Sequence, residues 1–397
     1  MQTLSEPQRH KSSCPYCGDA PVNHTLFYVS SLLSTHLDNH ITGVVSHVPE
    51  FCIKFVDWLI FIFSEVCIFL GVIKPSTDIT KAKTFRSRVA WEEAERRGIK
   101  MEQLVMFGKY LDQYRAWVGG KKIYFTSLPI PEKLLRTSKN WDDKFVLKEA
   151  LVKNNIPVPA YARFRQFLHG DLQPIFNKFE KPIIVKPQNG SRGRHTVTNI
   201  HTYEQFQKGV QVAGTISAYL VAEEHLMGDV CRATFIGGKL MGFYRGGSPF
   251  VIGDGVKTVN ELIAEKDAMR HERVQKVLID DELIANVARV GFAMDAVVPE
   301  GLKISLTHRT GRLFGGVTKE MLSELHPSFV PILTKAASVV GLPVIGFDVI
   351  VPEPTLDANT QKWGIIECNT LPFIDLHYYA LEGKPQNIAG AIWDFWN

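Results

Sequence analysis

From Trp141 onward, short β-branched runs alternate with amphipathic stretches, and this alternation constrains the fold of the chain more than any other feature. PIIVKP, YLVAEEHL, ATFIGGKLMGFYR, VIGFDVIV and KWGIIECN read as strands bounded by Gly, Pro or charge. Between them, TYEQFQKGVQVA and PSFVPILTKAASVVG carry helical periodicity. Strands and helices interleaved in this way predict an α/β or α+β body. At 397 residues the chain exceeds the size of a single core, so two or three compact units are expected. The apolar fraction of 45% and charged fraction of 22% are ordinary for a globular protein. A net charge of +4 carries no strong nucleic-acid footprint, and no nucleic-acid partner is expected.

Candidate chemistry begins at KPIIVKPQNGSRGRHTVTNI, residues 181–200. A strand delivers Lys186 to its end, and a loop with Gly190, Ser191 and Gly193 follows at once. Glycines let backbone N–H groups approach phosphate oxygens closely, and a lysine neutralises their charge. The loop is neither a Walker A loop nor a Rossmann fingerprint, and alone it reads equally well as a Gly-rich hairpin. Upstream, WDDKFVLKEALVKNN places Lys144 at a helix start; downstream, Glu223 and Glu224 end a strand. IGFDVIV and GIIECNTLPFIDLHYY then present Asp348, Glu367 and Asn369. Two carboxylates and an amide oxygen on adjacent strands suit Mg²⁺ bridging nucleotide phosphates. Asp348 taken singly reads equally as an outward-facing residue or as the partner of a buried base.

In order and spacing, this set (lysine, lysine–glycine loop, Glu-Glu-x-Leu, strand Asp, Glu-x-Asn) resembles the ATP-grasp superfamily, and within it the grasp domain of the cyanophycin synthetases. The resemblance runs from about Trp141 to the C-terminus and includes VIGDGVKTVNELI, the segment 315–327 and ECNTLPFIDLHYYALEGKP. It implies an α+β fold like that of glutathione synthetase and D-Ala-D-Ala ligase, with two lobes clasping ATP. It further implies Lys144 and Lys186 at the α- and β-phosphates, and Gly190, Ser191 and Gly193 closing over them. Glu223 is then placed by the adenine amino group, Glu224 and Leu226 along the hinge, and Asp348, Glu367 and Asn369 at Mg²⁺. Arg232 matches a family arginine near the transferred phosphoryl group. The implied activity is ATP-dependent ligation of a carboxylate to an amine, on an amino acid or peptide, through an acyl phosphate.

The sequence departs from the family pattern at three places. His195 stands where the loop has a third glycine, which stiffens the loop and brings an imidazole toward the acceptor. Val230 stands at the ribose-binding acid, so either Asp229 takes that role or the ribose contact is absent. Gly346-Phe347 replaces an arginine before the metal aspartate, leaving Arg312 as the substitute. The chain also ends where a cyanophycin synthetase continues into a Mur-ligase-like ATPase, so the two-site route to cyanophycin is not expected.

The N-terminal third is expected to be separate: a Cys/His module over 1–50, an apolar helix over 51–79 and a small helical domain over 80–139, ahead of the grasp body at 140–397. Cys14-Pro15-Tyr16-Cys17-Gly18 is a zinc-knuckle-like turn, which reads either as half of a zinc site or as a pair of reduced thiols. His36 and His40 are the candidates to complete the site. Residues 51–73 are intensely apolar, yet at ~100° per residue Lys54, Asp57, Ser64 and Glu65 share one face. A core helix is the first reading; an in-plane membrane or homo-oligomer contact is the second, and a bilayer span the third. The sparse cysteines and the absence of a secretory signal pattern predict a cytoplasmic body, with membrane association left open through 51–73. A membrane-associated nucleotide-binding regulator is the alternative to a ligase.

Overall fold

The structure is a computed structural model, and it describes residues 14–17, 22–33, 37, 48–135, 137, 139–165, 170–190, 193–307 and 310–396. Two compact units divide the chain. The first joins Met1–Val45 to Ser138–Leu226, and the second joins Ser46–Thr137 to Met227–Asn397.

The first unit is a four-stranded antiparallel sheet in the order Tyr161–Arg165, Tyr219–Glu224, Ile183–Pro187, Val197–Ile200. The helices Lys144–Lys153 and Tyr203–Gly214 accompany it. Phe164, Phe176, Ile183, Val185, Phe206 and Leu220 form its apolar core. The strand Ile183–Pro187 is buried along its whole length, so Lys186 is brought into the interior by its neighbours' packing. Both helix starts are capped: Asp143 accepts from the N–H groups of Phe145 and Val146, and Thr202 and Gln205 form a capping box.

The second unit is built on a six-stranded sheet ordered Gly364–Asn369, Val344–Val351, Asp229–Ile236, Lys239–Gly246, Thr318–Glu320, Glu382–Gly383. All its pairings are antiparallel except the last. A smaller two-stranded antiparallel sheet of Phe250–Ile252 and Lys303–Ser305 carries the helices Val259–Met269 and Asp281–Arg289 over a core of their own. The VIGDGVKTVNELI stretch opens that sub-structure.

The segment expected as a small helical domain is mostly sheet. The helix Phe85–Arg96 stops before the left-handed Gly98. Met101–Met106, Lys109–Val118 and Lys121–Thr126 then form an antiparallel meander with Ile73–Ser76 at its edge. The left-handed Phe107-Gly108 and Gly119-Gly120 turns fold 101–126 back on itself, and that turn chemistry wins over the helical charge run before it. A division at residue 79 would therefore cut a sheet.

The apolar segment forms the helix Glu50–Phe69, and its apolar face points outward. Phe51 is 72% exposed and Phe63 68%, and Phe55, Trp58, Leu59, Ile62 and Val66 are exposed on the same side. Glu65 faces the meander instead, where its carboxylate takes the Lys122 ammonium at 2.7 Å and the Tyr124 hydroxyl, and Phe61 packs edge-on against Tyr124. The expected core helix is thus reversed: Glu65 is drawn to the sheet and the exposed apolar side is left out. Among the described residues no helix is long and apolar enough to cross a membrane.

Candidate active site

In the first unit, a cluster of lysines surrounds one carboxylate. Glu223, on the strand Tyr219–Glu224, is 1% exposed and pairs with Lys148 at 3.0 Å and Lys186 at 2.8 Å. Lys144 and Lys148 lie one turn apart on the helix Lys144–Lys153, hence on one face. The Lys144 ammonium donates to the Gly190 carbonyl at 2.7 Å, tying the helix to the glycine loop. Gln188, just ahead of that loop, donates to Asp143 at 2.6 Å, so cap, lysine and loop are fixed together. Gly190 and Gly193 both have positive φ, which a side chain would strain.

Electrostatics in this cluster are adverse to the Lys148 cation. Burial, followed by repulsion from Lys186 and Lys144, pushes Lys148 down to about 8 in spite of Glu223. Burial also opposes the Glu223 charge, but Lys148 and Lys186 outweigh it and hold its carboxyl below the ordinary value. An anion placed here would relieve the mutual repulsion of the lysines. Lys148 escaped the sequence reading, although its spacing from Lys144 was the available signal.

In the second unit, register alone brings the acidic set together. Asp348 stands opposite Glu367 across one strand pair and opposite Arg232 across the other; Asn369 pairs with Gly346. Arg232 grips Asp348 in bidentate fashion, Nε to Oδ1 at 2.7 Å and Nη2 to Oδ2 at 2.8 Å, and Asn369 Nδ2 lies 3.3 Å from Asp348 Oδ2. Burial opposes the Arg232 charge, but Asp348, Tyr244 and Glu367 more than offset it and keep the guanidinium firmly protonated.

The remaining candidates occupy other settings. Leu226 is buried, and the Glu224 N–H donates to the Ala160 carbonyl at 2.9 Å. Asp229 is paired with Arg245 at 2.7 Å, and Arg245 also reaches Glu353 at 3.3 Å. Arg312 is paired with the buried Asp375 at 2.6 Å. Ser191 lies outside the described residues, as do His36 and His40. His195 is 1% exposed, with Nδ1 2.8 Å from the Val212 carbonyl and Nε2 3.5–3.6 Å from the thiols of Cys17 and Cys14. An imidazole enclosed in this way does not face an acceptor, so that expectation is corrected. Its φ of 50° keeps the left-handed backbone that a glycine adopts more easily. On the same face of the second sheet as Arg232 and Asp348, His377 is enclosed between Glu320 and Thr234.

No family model matches the chain. A cyanophycin synthetase of Nostoc sp. is 28% identical over 309 residues, covering 76% of this chain and 34% of the relative. A glutathione biosynthesis bifunctional protein of Listeria welshimeri is 27% identical over 325 residues, covering 78% and 40%. The chain therefore spans 34–40% of the length of these relatives. Among solved structures, a bifunctional glutathione synthetase from Pasteurella multocida superposes with a TM-score of 0.53 at 19% identity, covering 78% of this chain and 43% of that one. The shared α+β architecture and these relatives, joined to the lysine–glycine loop and the paired acidic strands, make the chain a member of the ATP-grasp superfamily.

Proposed function

We propose that the chain is an ATP-dependent carboxylate–amine ligase that forms an amide through an acyl phosphate. The observation that carries this reading is the buried group of Lys144, Lys148 and Lys186, tied to a glycine loop and organised by Glu223. Three ammoniums repelling one another in the interior are stabilised by a polyphosphate, and a loop with left-handed glycines lets backbone N–H groups approach its oxygens. Asp348, Glu367 and Asn369 offer hard oxygen donors fit to hold Mg²⁺, which when bound neutralises phosphate charge. Arg232, engaged with Asp348, is suited to hold a carboxylate or the transferred phosphoryl group.

In the proposed reaction, a substrate carboxylate oxygen attacks the γ-phosphorus and the bond to the β–γ bridging oxygen breaks, releasing ADP. An amine nitrogen then attacks the acyl carbon, phosphate leaves, and the amine loses a proton. Lys144 and Lys186 bind and orient the phosphates, the fully buried Lys148 adds its charge without touching them, and Glu223 holds Lys148 and Lys186 in line rather than reaching an adenine amino group. The names of the relatives, synthetases of cyanophycin and of glutathione, support an amino acid or peptide as substrate. They give no support to the regulator reading.

Incubation with ATP, Mg²⁺ and pooled amino acids, peptides and polyamines tests the reaction class. The expected products are ADP, phosphate and a new amide, with hydroxylamine intercepting a hydroxamate once the carboxylate is present. Release of AMP and pyrophosphate would sink the reading, because that chemistry breaks the nucleotide at a different phosphorus.

A further inference from the structure

The CxxC turn, left over by the ligase chemistry, meets the phosphate loop. Pro15–Cys17 is a short 3-10 turn, closed by the Cys17 N–H donating to the Cys14 carbonyl at 3.3 Å. His24, seven positions beyond Cys17, opens a helical stretch over 24–33 and brings its Nε2 to 3.2 Å from the Cys17 sulfur. His195 arrives from 178 positions away with its Nε2 3.5 Å from Cys17 and 3.6 Å from Cys14. One ligand atom from each of the four residues lies within 4.8 Å of every other. All four belong to the same compact unit.

We propose that Cys14, Cys17, His24 and His195 form a tetrahedral Cys₂His₂ zinc site that clamps the N-terminal turn to the base of the phosphate loop. Zinc–sulfur bonds of about 2.3 Å and zinc–nitrogen bonds of about 2.0–2.1 Å, at tetrahedral angles, require sulfur–nitrogen edges of about 3.5–3.6 Å. The three measured sulfur–nitrogen edges, 3.2, 3.5 and 3.6 Å, lie at or close to that value without any closing of the side chains. His195 Nδ1 donates to the Val212 carbonyl at 2.8 Å, which fixes the tautomer and turns the Nε2 lone pair toward the thiols. The backbone supports the same junction, because the His195 N–H donates to the Tyr16 carbonyl at 3.0 Å. Cys17 and His195 are buried, as a structural rather than an exchangeable site requires. All four coordination positions are filled by protein, so the ion holds the loop rather than activating a water. His195 stands two positions after Gly193 and five after Gly190; zinc therefore sets the anchor from which the glycine loop departs.

The site is tested on the full chain, without nucleotide. Protein grown with zinc and dialysed against metal-free buffer should carry about one zinc ion per chain. Cys17→Ser and His195→Asn should lose most of it, whereas His36→Ala and His40→Ala should keep it. Cobalt(II) added to chelator-stripped wild-type protein should give the intense visible bands of a tetrahedral site and a thiolate charge-transfer band; this readout needs no variant to fold. Hydrogen exchange in segment 193–200 should slow when zinc is returned. A reduced wild-type chain that neither carries zinc nor binds cobalt overturns the proposal. So does a weak octahedral cobalt spectrum, or full zinc content in Cys17→Ser.

Discussion

Lys148 is a buried cation whose neighbours work against its charge. Its pKa is pushed down to about 8, against about 10.4 for an unfolded lysine. Between those two values the unfolded chain binds more protons than the folded one, so this group alone makes the fold more stable as pH rises through that window. Nucleotide binding runs the other way, because phosphate favours the protonated form. ATP affinity is expected to be greatest below about pH 8 and to weaken progressively above it, with Lys148→Arg flattening the alkaline limb. Calorimetric titrations between about pH 7 and about pH 9.5 decide the matter, and a wild-type affinity that stays constant over that span removes Lys148 from the phosphate site. Reading residues from sequence works here where the signal is local. Lys144, Lys186 and Glu223 stand out by their place at element ends, and Lys148 is findable by its spacing. The engagement of His195 with Cys17 is not, because 178 positions separate them and only the folded sheet brings them together. His24 carries no such signal, because His36 and His40, four positions apart, resemble a zinc finger more closely.

Among the elements, the helix Lys144–Lys153 has the clearest link between local chemistry and function. Asp143 caps it through two N–H groups and also receives the Gln188 amide, so one carboxylate orients Lys144 and steadies the approach to the glycine loop. Asp143→Ala should cost about 1 kcal/mol of stability from the lost cap. It should also weaken ATP binding several-fold, because Lys144 and Gln188 lose their common anchor. Thr258→Ala, which removes the capping box of Val259–Met269 in the second unit, should show a similar loss by denaturant unfolding with ATP affinity unchanged. Equal effects of the two variants on affinity would mean that the Asp143 effect is global destabilisation. Strand periodicity identified most of the elements beyond Trp141. It failed over 101–126, where the charged residues of the meander, among them the ion pair of Arg115 with the buried Glu102, imitate the charge spacing of a helix face. The helix Glu50–Phe69 was recognisable as a helix, but its orientation depends on Lys122 and Tyr124, which lie far along the chain and pair with Glu65.

At the scale of the whole molecule, chain order and spatial organisation disagree. Every nucleotide ligand proposed here lies at or beyond Lys144, which by sequence makes residues 1–79 dispensable for ATP binding. The structure gives a reason to expect otherwise, and it separates two truncations that the sequence treats as one. A chain beginning at residue 48 loses Cys14, Cys17 and His24, together with the Tyr16 carbonyl that receives the His195 N–H. It keeps the edge strand Ile73–Ser76 on the meander. Its second unit should therefore unfold as in the full chain, while ATP binding falls by about ten-fold or more, equivalent to ~1.4 kcal/mol, as the phosphate loop loses its anchor. Added zinc should not restore it. A chain beginning at residue 80 additionally strips Ile73–Ser76 from Met101–Met106 and leaves that strand with an open edge, so it should self-associate where the longer chain does not. Sedimentation and ATP titration on the two truncations separate the effects. If the chain from residue 48 is folded and binds ATP as tightly as the full chain, the N-terminal turn contributes nothing to the loop, and the link between the Cys/His cluster and the nucleotide site is broken.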